Sequence, residues 1–192
     1  MRESEQNRRT CVRRNWPLRV AQERDIPELK ILIEISVRKL QAPYYSAAQM
    51  EAALGPVFDV DRQLIQDRTY FAVEDEGCIV GCGGWSRRRA SYGGDRDRIG
   101  EDDLLNPKHD AARIRAFFVH PKWARWGIGT HILEGSEEAI QDAGFQSAVL
   151  VATLAGEPLY AKFGYSVVER YEVPLGSALT LPVVRMTKRF ES

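Results

Sequence analysis

The chain is poor in cysteine: Cys11, Cys78 and Cys82 are all it has, with no Cys-x-x-Cys pair and no histidine pairs nearby. That excludes a disulfide framework and a zinc site, and no metal is expected. Neither sign of charge is in excess, since 27 basic and 27 acidic residues cancel. A nucleic-acid partner would therefore gain no global attraction. No apolar run approaches a membrane span, and the residues after Met1 contain no signal-type apolar core. The expectation is a cytoplasmic protein with no membrane or nucleic-acid partner. A Gly-Lys-Ser/Thr loop ending is also missing, which removes the Walker-type nucleotide site.

What remains is ordinary globular material. Of 192 residues, 44% are hydrophobic and 28% charged, enough for a core within one domain. Residues 1–17, with Arg2, Arg8, Arg9, Arg13 and Arg14, read as a loose basic tail, and residues 18–190 as the domain. A first strand is expected at Leu18–Ala21. Asp25 with Pro27 marks a helix start, and that helix should reach Leu40. Ser46-x-x-Gln49 is a capping-box pattern for a second helix ended by Gly55-Pro56, and Asp61 caps a short third one. Thr69–Glu74 and Ile79–Trp85 read as strands joined at Glu76-Gly77. On this pattern Cys78 and Cys82 share one strand face and are buried. Gly81, Gly83 and Gly84 point to a bulge or to a ligand running close to backbone. Residues 87–110 form a long polar connection, read as either a surface loop or a lid.

Arg113–Ala143 organises the rest. Ile114–Val119 is an apolar, β-branched and aromatic run, hence a buried strand, and Pro121 ends it. The turn Ala124-Arg125-Trp126-Gly127-Ile128-Gly129 follows, and then Ile128, Ile132, Leu133, Ala139, Ile140 and Ala143 recur at helical spacing. A glycine turn opening a helix aims free N–H groups at one point, where the helix dipole adds positive potential. It suits a phosphate. A dinucleotide fingerprint would need glycine at position 132, where Ile132 stands, and an acid near Val149-Leu150-Val151.

Val119-x-Pro121, Gly127-Ile128-Gly129 and Leu159-Tyr160-Ala161-Lys162-Phe163-Gly164-Tyr165 together resemble the two main motifs of the Gcn5-related N-acetyltransferase (GNAT) family, over roughly Leu18 to Lys188. The resemblance implies an α/β single-domain fold: a central mixed, mostly antiparallel sheet of six or seven strands with flanking helices. It implies acetyl-CoA as cosubstrate, without metal, and direct acetyl transfer to the primary amine of a small molecule or peptide in a ternary complex. It places the acyl-CoA arm against Phe117, Phe118 and Val119, and the pyrophosphate at Arg125, Trp126, Gly127, Ile128, Gly129 and Thr130. Tyr160 falls at the position of the general acid. Ala124 replaces the usual Arg or Gln, and Thr153 a frequent Asn. A non-catalytic acyl-CoA-binding or regulatory domain is the alternative. The sequence leaves a homodimer open.

Some relatives carry a glutamate base where Arg113 stands, and arginine cannot serve as one at neutral pH. Water, Asp110 or His120 are the remaining routes. Arg113 and Arg115 share a strand face and suggest an acceptor with a carboxylate or phosphate, unless loop acids such as Glu101 or Asp103 pair with them. Trp85, Trp123 and Trp126 are candidates for a pocket mouth or for packing.

Overall fold

The computed structural model of the protein describes residues 16–89, 104–176 and 178–191. The chain forms β1 (Leu18–Val20), α1 (Ile26–Leu40), α2 (Ala47–Ala53), α3 (Arg62–Gln66), β2 (Tyr70–Asp75) and β3 (Cys78–Ser86). Then come β4 (Ala112–Val119), α4 (Ile128–Asp142), β5 (Ser147–Thr153), α5 (Glu157–Lys162), β6 (Ser166–Gly176) and β7 (Leu179–Arg189). The seven strands make one sheet in the order β1-β2-β3-β4-β5-β7-β6. Every neighbouring pair is antiparallel except β4–β5. The fold is thus the mixed, mostly antiparallel α/β sheet that the motifs imply.

Local chemistry explains most elements. Ser46 Oγ accepts the Gln49 N–H and Gln49 Oε1 accepts the Ser46 N–H, so the capping box opens α2. Asp61 Oδ1 accepts the Leu64 N–H and opens α3. Asp25 precedes α1, but its carboxylate does not cap that helix. It accepts the Gln22 N–H of a preceding 3-10 turn and bonds the Arg19 guanidinium, which also holds Glu74. That guanidinium keeps the Asp25 carboxyl below the usual carboxylate range.

Strand alternation separates two cores. Tyr70 and Ala72 of β2 join α1, α2 and α3 on one face. Phe71 and Val73 look the other way, toward α4 and its neighbours. Bulges in β3 and in β4 interrupt this alternation near the centre of the sheet. In β3, Val73 faces Gly81 while Glu74 faces Ile79, so Val80 is an extra residue. The bulge moves Cys78 out of phase: it is exposed and Cys82 is buried, contrary to the shared face expected from spacing. Burial pushes the Cys82 thiol up to about 12.

The second bulge is in β4. Cys82 pairs with Phe118 and Gly84 with Arg115, so Gly83 alone faces both Ala116 and Phe117. Ala116 takes up the extra residue with φ +60°. Consequently Phe117 turns to the α4 face and Phe118 to the α1 face. The glycines of β3 answer to this packing. A Cβ on Gly83 would stand 2.5 Å from the Phe117 ring, and one on Gly81 would stand 2.4 Å from Ile128 Cγ2. Protein, and not ligand, fills the space they leave.

The loop expected at 87–110 lies in part outside the described residues, as do Glu101 and Asp103. Its two ends meet: Arg88 and Leu104 form a bridge, and Arg88 holds Asp67 through two hydrogen bonds. The tail residues 1–15 and Cys11 are likewise outside the described set. Trp16 packs on the core beside α4, and its carbonyl lies 3.1 Å from His131 Nε2.

Candidate active site

The parallel pair β4–β5 is short. Registered partners run from Ala112↔Ala148 to Ile114↔Leu150 and then stop, although β4 continues to Val119 and β5 to Thr153. Beyond that point the strands part. A cleft of about 240 Å³ occupies the gap. Its walls include Phe118 and Val183 from the α1-side core and Ala152 and Tyr160 from the α4-side core. The opening therefore passes through the sheet and joins its two faces.

On the α4 side the gap is edged by backbone and by one phenol. Gly127 stands at the N-cap of α4 with φ +93° and ψ 0°, a conformation that disfavours any Cβ. Apart from its immediate chain neighbours, none of the described residues comes within 4 Å of where that Cβ would project. The helix start carries no side-chain cap, so its first N–H groups have no partner within the helix. Gly129, which lines the cleft, has a packing role too: its Cβ would come 3.2 Å from Leu159 Cδ2. Tyr160 of α5 is 7% exposed and lies edge-on to Phe117 and to Tyr165. Burial raises its hydroxyl above the ordinary phenol range, so the proton stays on at neutral pH. Thr153 Oγ1 accepts the Gly156 N–H and shapes the turn into α5.

The α1 side is assembled from side chains of distant segments. Phe58 packs edge-on against Phe118, with ring centroids 6.0 Å apart. This brings Val57–Asp61 beneath the bulge of β4. Arg115 and Asp61 form an ion pair at 2.9 Å, each side chain 5% exposed. Asp59 Oδ1 accepts the Val60 N–H at 2.7 Å, and Asp59 lines the cleft. Gln41, just past α1, lines it as well. The bulge itself has support: the Tyr70 hydroxyl lies 3.2 Å from Cys82 Sγ and 3.3 Å from the Ala116 carbonyl.

Of the residues picked from sequence, Phe117, Phe118, Val119, Gly129, Tyr160 and Arg115 meet in this one cleft. Gly127 and Thr130 flank Gly129 at the helix start, and Arg125 (φ +69°) and the exposed Trp126 lie just before it. The Ile128 side chain is fully buried under Gly81. Arg115, Arg113 and Trp85 have other settings. Arg115 is committed to Asp61, so it does not stand ready for an anionic acceptor. Arg113 does not line the cleft; its Nε reaches the Arg89 carbonyl at 3.4 Å. Trp85, opposite Ile114 in the ladder, is buried against Phe145 in the α4-side core, away from the cleft. His120 Nδ1 accepts the Lys122 N–H and its ring meets Trp123, so it caps the turn after β4.

Sequence reasoning missed Asp59 and Gln41 and read Asp61 as a cap alone. One signal was available. Val57-Phe58-Asp59-Val60-Asp61 sets two acids among apolar residues, a costly pattern unless each acid finds a partner.

The model of the acetyltransferase (GNAT) family matches residues 35–165, so the chain belongs to that family of acetyltransferases. No curated protein matches the chain significantly. Solved structures share the fold. A GCN5-related N-acetyltransferase from Rhodopseudomonas palustris superposes with TM-score 0.65 at 20% identity, covering 91% of this chain and 96% of the other. PaiA N-acetyltransferase from Thermoplasma acidophilum, in complex with coenzyme A, gives 0.63 at 14% identity over 91% and 99%. A GNAT family acetyltransferase from Brucella melitensis, in complex with acetyl-CoA, gives 0.55 at 16% over 92% and 89%.

Proposed function

We propose that the protein is an acetyl-CoA-dependent N-acetyltransferase that acetylates a primary amine by direct attack within a ternary complex. The observation that carries this reading is the gap between β4 and β5, a cleft edged by the backbone of Phe117–Val119 and the start of α4 on one side and by side chains of distant segments on the other. The residues fit acetyl-CoA. The start of α4, with Gly127 and the uncapped N–H groups through Thr130, suits the pyrophosphate. The stretch Phe117–Val119, past the last β5 partner, offers unpaired backbone groups to an amide-bearing arm. Acetyl-CoA supplies the activated acetyl group as a thioester.

The chain's residues then do the remaining work. The cleft holds the amine nitrogen on the α1 side and the thioester at the gap, so that attack is intramolecular in effect. As the C–N bond forms and the C–S bond breaks, Tyr160 gives its proton to the departing sulfur. Its raised pKa keeps that proton available. The amine's proton leaves to water or to an acceptor on the α1 side.

The test is thiol release from acetyl-CoA in the presence of an amine panel, with mass spectrometry of the products. Amine-dependent release with a matching acetylated product is expected. Acetyl-CoA binding with no product from any amine would instead make the protein a non-catalytic acyl-CoA binder.

A further inference from the structure

The acceptor chamber carries its own chemical signature. Its charged lining residues are Asp59, Asp61 and Arg115: two carboxylates and one guanidinium, net minus one. Asp61 and Arg115 are paired with each other in a buried bridge, so the negative charge that remains belongs to Asp59. Asp59 is partly open to solvent and spends one oxygen on its neighbour's N–H.

A second, independent feature points to a hydrogen-bond donor. Gln41 is 8% exposed, and its Oε1 is buried with no hydrogen-bond partner among the described residues. Gln41 lines the cleft, and a buried, unsatisfied amide oxygen costs roughly 1–3 kcal/mol, so a small turn of this amide toward the cleft would let a ligand's N–H satisfy it. Apart from the Ser36 hydroxyl of α1, the rest of this wall is apolar: Leu40, Val57, Phe58, Val173 and Leu181, with Phe118 above.

We infer that the acceptor is a monoamine on an apolar body, its ammonium held by Asp59 and Gln41 Oε1 and its body lying among Phe58, Val173 and Leu181. The inference rests on the acetyltransferase reading and specifies its substrate class. A polycationic acceptor would bring charges that this wall leaves unpaired. An acceptor bearing a carboxylate would meet Asp59 with like charge and would find Arg115 already taken. Both carry a desolvation penalty that an alkyl or arylalkyl body does not.

The test uses the full chain with phenylethylamine and hexylamine against spermidine and glycine. The monoamines are expected to show the highest kcat/KM. Asp59→Asn, which preserves side-chain volume, should raise KM for phenylethylamine by on the order of 10- to 100-fold, the cost of losing a charge-assisted hydrogen bond. Gln41→Met should raise it less, and the melting temperature of both variants should stay near that of the parent. Acetyl-CoA affinity, measured by calorimetry, should be unaffected by either change. Best turnover on spermidine or on glycine overturns the inference while leaving the acetyltransferase reading intact. So does an unchanged KM in a folded Asp59→Asn variant. Absence of acetyl-CoA binding by the parent chain would instead refute the reading beneath it.

Discussion

The two sides of the gap between β4 and β5 are built by different means. On the α4 side the groups proposed to meet the cofactor are mainly main-chain N–H and C=O, arranged by one continuous segment from β4 through Gly127 into α4, with the Tyr160 phenol beside them. On the α1 side the lining groups are side chains from segments far apart in sequence: Gln41 after α1, Asp59 before α3, and Val173 and Leu181 on β6 and β7. Backbone presents the same groups whatever the sequence, so the first side suits a ligand common to a whole family. Side chains are free to vary, so the second side suits the substrate that distinguishes one member. The proposed division of labour, cofactor by backbone and acceptor by side chain, follows from that difference.

The sharpest way to break the α1 side is through its buried ion pair. Arg115→Leu leaves the Asp61 carboxylate buried beside the cleft without its cation. The expected cost is about 3–5 kcal/mol, a fall in melting temperature on the order of 10 °C for a chain of this size. The double variant Arg115→Leu, Asp61→Asn should recover part of that loss, since the asparagine can still accept the Leu64 N–H without burying a charge. Thermal unfolding of the two variants is the check, and equal destabilisation of both would remove the pair from its proposed role.

On the gap itself, Tyr160→Phe keeps the ring that packs against Phe117 and Tyr165 and removes the hydroxyl. A thiolate leaves partly unaided, so turnover should fall on the order of 10²-fold, the low end for acid catalysis, with acetyl-CoA affinity retained. The pH profile adds a second readout. Because burial raises this phenol, its acidic form persists above the ordinary value near 10. The parent should therefore show no loss of turnover between pH 7 and pH 9.5 attributable to Tyr160. A descending limb in that interval that disappears in Tyr160→Phe would contradict the raised hydroxyl.

The same contrast decides what could be read from sequence. The β4-turn-α4 unit is local, and periodicity with two glycines was enough to place it. The capping box at Ser46 and the cap at Asp61 were legible because the partners lie three residues away. The bulges were legible only in part: the glycines of β3 allowed one there as an alternative to a nearby ligand, but its position at Val80, which displaces Cys78, and the bulge at Ala116, which exchanges the faces taken by Phe117 and Phe118, each depend on a neighbouring strand. The proposed acceptor side of the cleft was illegible for the same reason. Nothing local ties Gln41 to Asp59 or Arg115 to Asp61; only the folded sheet brings them together. Two arginines two residues apart looked like a matched pair, yet one is claimed by a residue 54 positions earlier (115 minus 61) and the other lies away from the cleft.

One paired titration tests the division directly. Gly127→Val places a branched side chain where the α4 turn opens to solvent and strains a left-handed residue, at a cost on the order of 1–3 kcal/mol. Asp59→Asn alters only the far chamber. Calorimetric titration of acetyl-CoA into both folded variants should show affinity lost by at least about tenfold, near 1.4 kcal/mol, in Gly127→Val. Asp59→Asn should bind as the parent does. Parental affinity in Gly127→Val, or a comparable loss in Asp59→Asn, would contradict the assignment of cofactor to backbone and acceptor to side chain.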